Sequence, residues 1–282
     1  MKKILFLLTL TAAIIASCGG GKTQPETQTA ATEAEEKDSM IYGLTCDGTN
    51  DSVIVFLPFD GNDSDPVTYN VEVAHANGRI IGKPEIGDWV GLILNPEDTT
   101  EATMVVNLDQ MKGTWTYEVR PTWKAASRLS RRALARKLNE IPDSLKEAYL
   151  VPREYGFTLK RSSVAQSVGR VMQQSSLEDD SPVEYPKVKN YTGWKCRNGH
   201  LILTSTEGPI AIAQANSDAN SKQAAPKQKE HHDTLEFVFM TDDSLVLMTH
   251  DNRRLAFHRK ANAQAANAAA TKAAQKTQKI VK

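Results

Sequence analysis

Gly193-Trp194-Lys195-Cys196-Arg197-Asn198-Gly199-His200-Leu201-Ile202-Leu203-Thr204 is the stretch that decides how this chain folds. Apolar and polar residues alternate on both sides of Asn198-Gly199, a pair that accepts the positive φ angles of a two-residue hairpin. Downstream, Thr234 to Met240, Leu245 to Thr249 and Leu255 to Arg259 alternate in the same way, with tight turns at Asp242-Asp243 and Asp251-Asn252. The spacing predicts a five-stranded meander within 183–260, interrupted by a long polar excursion over 205–232.

Working towards the N-terminus, Lys124 to Ile141 changes period. At 100° per residue Ala126, Ala133, Leu134, Leu138 and Ile141 share one face, while Lys124, Arg128, Arg131, Arg132 and Arg136 crowd the other, which predicts an amphipathic helix. Ile141-Pro142-Asp143 stops it, a brief second turn can follow from Asp143, and 124–182 reads as a basic helical connector. Between Met40 and Trp123 the chain again breaks into short β-branched or alternating runs: Ile41 to Cys46, Ser52 to Leu57, Val67 to His75, Arg79 to Ile81, Asp88 to Leu94, Thr103 to Leu108 and Thr114 to Arg120. Asp47-Gly48, Asp60-Gly61, Asn77-Gly78, Asn95-Pro96 and Lys112-Gly113 supply turns, Asn77-Gly78 being a hairpin signal. Seven short strands over 40–123 predict a small β-barrel or sandwich. The fold class expected is therefore mainly β: an N-terminal small barrel or sandwich, a helical connector and a C-terminal meander.

Charge divides along the same lines. The formal net charge is zero, yet 40–123 holds 13 Asp/Glu against 4 Lys/Arg, and 124–175 holds 11 Lys/Arg against 4 Asp/Glu. Opposite blocks of this size favour docking within one molecule, with the helix arginines turned towards the acidic block. The tail over 261–282 is an Ala/Gln/Lys segment with four lysines and no acid, a helix that would be marginal in water on its own.

At the N-terminus Lys2-Lys3, an apolar run from Ile4 to Ile15 and small residues before Cys18 form the layout of an export signal, too short to span a bilayer. The run Ile15-Ala16-Ser17-Cys18 resembles the bacterial lipoprotein signal. That resemblance implies cleavage between Ser17 and Cys18, acylation of Cys18 and attachment to the bacterial envelope, at the outer membrane. Residues 19–39 contain no aliphatic side chain larger than alanine and read as a tether. Asp38-Ser39-Met40 resembles the O-glycosylation acceptor of Bacteroidota, which would place a glycan on Ser39.

A further resemblance rests on Gly193-Trp194, Asn198 to Leu203, Asp242 to Met248 and Leu255 to Lys260, which look like the lipocalin-like meanders of Bacteroidota lipoproteins. A full lipocalin has eight strands and a Gly-x-Trp near its start. The meander offers five strands and Gly193 directly before Trp194, so closure into a ligand-holding barrel requires earlier strands.

With Cys18 acylated, Cys46 and Cys196 remain. An exported compartment permits a disulfide between them, and the alternative is two free thiols buried in separate sheets. Catalytic motifs are not found: the chain lacks Gly-x-Ser-x-Gly, Ser-x-x-Lys, His-Glu-x-x-His and the full Gly-x-x-x-x-Gly-Lys-Ser/Thr spacing of a phosphate loop. No catalytic residues, cofactor or metal are therefore expected. Asp60, Asn62, Asp63 and Asp65 stand at the spacing of calcium loops but lack the glutamate that closes an EF-hand, and the same residues serve a turn. Glu230-His231-His232-Asp233 alternates on a strand, so its imidazoles should point apart. Trp89, Trp115, Trp123 and Trp194 are expected in the core, with exposed sugar-binding platforms as the alternative. The reading is a lipid-anchored, non-catalytic binding or envelope-interaction protein whose partners are the membrane and an envelope protein, glycan or small apolar ligand, with nucleic acid excluded. The alternatives are a lipocalin-like carrier of a small apolar ligand, or a hydrolase or glycan-active enzyme without a recognisable motif.

Overall fold

The computed structural model describes residues 37–59, 65–124, 130–171, 181–207 and 229–280. Asp38–Lys282 form one compact unit, and the architecture is mainly β. The first sheet uses β1 (Met40–Thr45), β2 (Val53–Pro58), β3 (Val67–Asn70), β4 (Ile80–Ile81), β5 (Trp89–Leu94) and β6 (Ala102–Asn107) in the order β3-β2-β1-β5-β6-β4. Its neighbours are antiparallel except β4 and β6, which run parallel. Asn70 bridges Glu101 and donates its backbone N–H to the Thr100 carbonyl at 2.9 Å, so β3 meets the start of β6 and the sheet curls. Inside the curl lie Ile54, Phe56, Val90, Leu92 and Val105.

One expected strand is split. Val67 to His75 pairs only as far as Asn70, and Glu72–Ala76 form a short helix, α1, whose first N–H is accepted by the Asn70 side chain at 2.8 Å. Asn77-Gly78 consequently closes a helix, not a hairpin: Gly78 has φ +63° and the Arg79 N–H bonds the Ala74 carbonyl at 2.7 Å. A positive-φ glycine satisfies both kinds of turn, and nothing local tells them apart.

After a second short helix, α2 (Leu108–Met111), the chain builds its larger sheet. The strands that follow are β7 (Gly113–Val119), β8 (Thr122–Trp123), β9 (Arg153–Leu159), β10 (Ala165–Val168), β11 (Val183–Glu184), β12 (Tyr191–Arg197), β13 (His200–Thr206), β14 (Glu230–Met240), β15 (Ser244–Thr249) and β16 (Arg254–Lys260). β8 and β11 form a two-stranded ribbon. The other eight form one antiparallel sheet in which each strand pairs with the next in the chain and β16 returns to β7, with Arg259 opposite Trp115. Between β10 and β12 the join is thinner. Val164 bridges Gly193, the Trp194 N–H donates to Ser163 at 2.8 Å, and the Ser167 hydroxyl donates to the Lys189 carbonyl at 2.6 Å. The result is a nearly closed, up-and-down barrel of eight strands.

The barrel therefore begins at Gly113 and not at residue 183. β7, assigned by its pattern to the N-terminal block, is the first barrel strand, and β9 and β10 supply the strands that the five-stranded meander lacked. The missing Gly-x-Trp stands there too, as Gly113-Thr114-Trp115.

The first sheet covers one end of this barrel. Met40, Ile81, Met104 and Val106 on its outward face share a continuous core with Trp194, Leu201, Leu245 and Met240. Met40 lies against the Asn198-Gly199 turn, its sulfur 3.6 Å from Cys196 Sγ. Trp89 and Trp194 are 6.4 Å apart, and Arg79 pairs with Glu236 at 3.4 Å.

The connector contains α3 (Arg131–Glu140) and α4 (Asp143–Leu150), and the Ser130 hydroxyl caps α3 by accepting the Ala133 N–H. The helix starts later than the periodicity from Lys124 suggests, and residues 125–129 lie outside the described residues. Ala133, Leu134 and Leu138 are only half-buried, and among the described residues Arg131, Arg132 and Arg136 make no ion pair with the acidic block. The tail is held more firmly than its composition implies. After α5 (Ala263–Ala266), the buried Asn267 exchanges two hydrogen bonds with the Glu154 backbone, and α6 (Ala268–Ile280) buries Ala270 and Ala274 beside Val171.

Candidate functional site

The two ends of the barrel differ. At the end covered by the first sheet, fully buried Trp115, Leu201, Leu203, Leu245 and Leu247 fill the interior. At the other end the side chains part, leaving a cup of about 670 Å³.

Its wall is aromatic because alternate residues of adjacent strands project inward. Tyr117 of β7 meets Phe257 of β16 edge to face at 5.4 Å between ring centres; Phe257 meets Phe157 of β9 at 5.1 Å; Phe157 meets Tyr191 of β12 at 6.0 Å. Contacts of this geometry add about 0.5–1.5 kcal/mol each beyond burial. Tyr155, two residues before Phe157, donates its hydroxyl to the Pro186 carbonyl at 2.9 Å, which ties the 185–190 segment across the rim. Further out, the buried Arg153 guanidinium lies 3.6 Å from the ring centre of Tyr185.

Polar groups edge the cup. Lys189 Nζ lies 2.7 and 2.6 Å from the two oxygens of Asp233. Burial pushes the Tyr191 phenol well above the usual tyrosine range, and the nearby Asp233 carboxylate adds to the effect. Tyr191 therefore presents a neutral hydroxyl. Lys187, Arg253, Asp251 and His250 also border the opening, and Asp251 accepts a hydrogen bond from the Thr249 hydroxyl. Apolar walls with a few convergent polar groups are the usual make-up of a small-molecule site.

The residues singled out by sequence scatter elsewhere. Ser17, Cys18, Asp60, Asn62 and Asp63 lie outside the described residues, as does most of the 205–232 excursion. Asp65 and Ser39 are exposed. Ser39 is not part of a free tether: its N–H and hydroxyl both donate to Asn198 Oδ1, at 2.7 and 3.0 Å. Asp38 beside it accepts from the Met40 and Asn198 N–H groups. Cys46 and Cys196 are both free thiols, and the pairing allowed by sequence is not made. Cys46 directly follows the first sheet's leading strand, whereas Cys196 is buried in β12 against Met40. His231 and His232 point apart, one 3.0 Å from Glu207 and the other 3.2 Å from the Thr204 hydroxyl. Among the described residues no three His, Cys, Asp or Glu side chains gather as a metal site would require. Trp115 and Trp194 are buried, and Trp89 and Trp123 half-buried.

Sequence reasoning passed over the cup aromatics. Tyr117 lies within β7 and Tyr191 opens β12, alternation does not distinguish a cavity wall from packed core, and the strands that bring the rings together come from separate parts of the chain.

No protein-family model matches the chain, and no curated protein does. Among solved structures it is similar to a lipocalin-like protein from Bacteroides thetaiotaomicron, with 17% sequence identity over 52% of this chain and 94% of the other, at a TM-score of 0.27.

Proposed function

We propose that this protein is a lipid-anchored, non-catalytic binding protein whose barrel cup holds a small molecule with an apolar body. The observation that carries the reading is the cup itself: one end of the barrel is packed solid, and the other is left open behind four contacting aromatic rings. Burial of apolar ligand surface there is worth about 25 cal/mol per Å² before the costs of association. Asp233, the carboxylate nearest the rings, is engaged by Lys189, which suits holding a ligand better than proton transfer.

The test is titration with the neutral fluorophore N-phenyl-1-naphthylamine. Saturable binding is expected, weakened about tenfold by Tyr117→Ala, which removes one half-exposed ring from the wall. Absence of saturable binding, or equal binding by the variant, would sink the reading.

The anchor rests on Ser17-Cys18 and the apolar run before it. Acyl chains contribute about 0.8 kcal/mol per buried CH₂, enough for two or three chains to hold the protein at a membrane. Palmitate labelling should depend on Cys18, and Cys18→Ser should move the protein out of the membrane fraction. Labelling that persists in Cys18→Ser would remove the anchor from the proposal.

A further inference from the structure

The cup's depth and its charge narrow the ligand class, given the binding role proposed above. Beneath Phe157 and Phe257 the barrel is occupied by Trp115, Leu201, Leu203 and Leu247, and the first sheet closes the end beyond them. An extended acyl chain has no channel to enter. A compact, ring-containing body suits the remaining space.

Charge at the mouth is unbalanced once existing partners are taken into account. Asp233 is neutralised by Lys189 through both of its oxygens. Asp251 keeps its charge, because the Thr249 hydroxyl that donates to it is neutral and, with the nearby Arg253, holds its carboxyl below the usual range. Lys187 and Arg253 border the same cavity, and among the described residues neither has a carboxylate within ion-pairing distance. Two cations outside any ion pair, set against the single remaining carboxylate of Asp251, leave a net positive charge beside a low-dielectric aromatic wall. An anion is attracted there more strongly than in open water, and a guanidinium can grip a carboxylate or sulfonate by two hydrogen bonds. We infer that the cup takes a compact aromatic or polycyclic anion, with its ring body against Tyr117, Phe157, Tyr191 and Phe257 and its anionic head at Arg253 and Lys187.

Calorimetric titration of the full chain with three probes tests this: 2-naphthoate, the neutral 2-naphthalenemethanol with the same ring body, and hexadecanoate. The naphthoate is expected to bind at least about tenfold tighter than the alcohol. In the double variant Arg253→Gln, Lys187→Gln that preference should disappear while the alcohol's affinity stays as it was. Both side chains are exposed, so an unchanged melting temperature will show that the variant is folded. Equal binding of acid and alcohol by the wild type, or a preference that survives in the variant, overturns the anionic head. Hexadecanoate binding more tightly than naphthoate overturns the compact body. Failure of both ring probes overturns the binding role itself, a result distinct from the others.

Discussion

Replacing Trp115 by alanine is expected to destabilise the protein by about 3–5 kcal/mol, the range for removing a large aromatic side chain from a packed core. Trp115 is fully buried at the start of the first barrel strand, where it does three things at once. Its ring fills the closed end of the barrel. Its indole N–H donates to the Met111 carbonyl at 2.7 Å, which fixes α2 against β7. Above its face, 4.1 Å from the ring centre, lies the Arg259 guanidinium of the last strand, which also donates to the carbonyls of Gln110, Lys112 and Asp242. First and last barrel strands are thereby clamped at the seam between them, where β16 pairs with β7. Against a typical total stability of about 5–15 kcal/mol such a loss is large. Urea unfolding followed by circular dichroism would measure it. Trp115→Phe keeps most of the volume and loses the N–H bond, so it should cost about 1–3 kcal/mol. A cost below 1 kcal/mol for Trp115→Ala would show that the seam does not depend on this side chain.

Gly156→Ala should be nearly as damaging, for a different reason. A Cβ at this position of β9 would lie 1.9 Å from the Trp115 carbonyl oxygen and 3.0 Å from the Thr116 Cα. Both atoms belong to the backbone of the paired strand, in which Thr116 stands opposite Gly156, so relief requires parting the ladder. Overpacking of this kind costs about 1–3 kcal/mol or more, and the upper end is expected because no flexible side chain can yield. Gly193→Ala, in the same barrel, is the control. Its added Cβ meets nothing closer than the Ser163 carbonyl oxygen at 3.4 Å, an ordinary contact, and the change should stay within about 0.5 kcal/mol. Equal effects at the two glycines would argue that the strands can move apart at no cost.

The same contacts explain why the barrel was only half legible beforehand. Alternation located β12 to β16 to within a few residues, and Asn198-Gly199 marked its hairpin, because local φ preference and period-2 burial are properties of neighbouring residues. Tyr155 to Lys160 showed as a strand for the same reason. What alternation does not encode is which strand pairs with which. Thr114 to Arg120 looked like the last strand of the N-terminal block because it follows six others, yet Trp115 pairs with Arg259 near the other end of the sequence. The Gly-x-Trp was present at residues 113–115 all along but gained its meaning only from that pairing.

By itself the sequence determined the β character of the chain, most strand positions, the hairpin turns and a helix in the connector. It also determined that Asn77-Gly78 would be a positive-φ turn, though not that the turn would end a helix. Only the tertiary structure decided that eight strands close into one barrel, that the first sheet seals one end of it, and that Asn267 holds the alanine-rich tail against β9. It decided the cup as well. Tyr117, Phe157, Tyr191 and Phe257 are ordinary inward-facing residues until strands distant in sequence bring their rings within about 6 Å, and packing between such strands is a property of the whole chain that no local window contains.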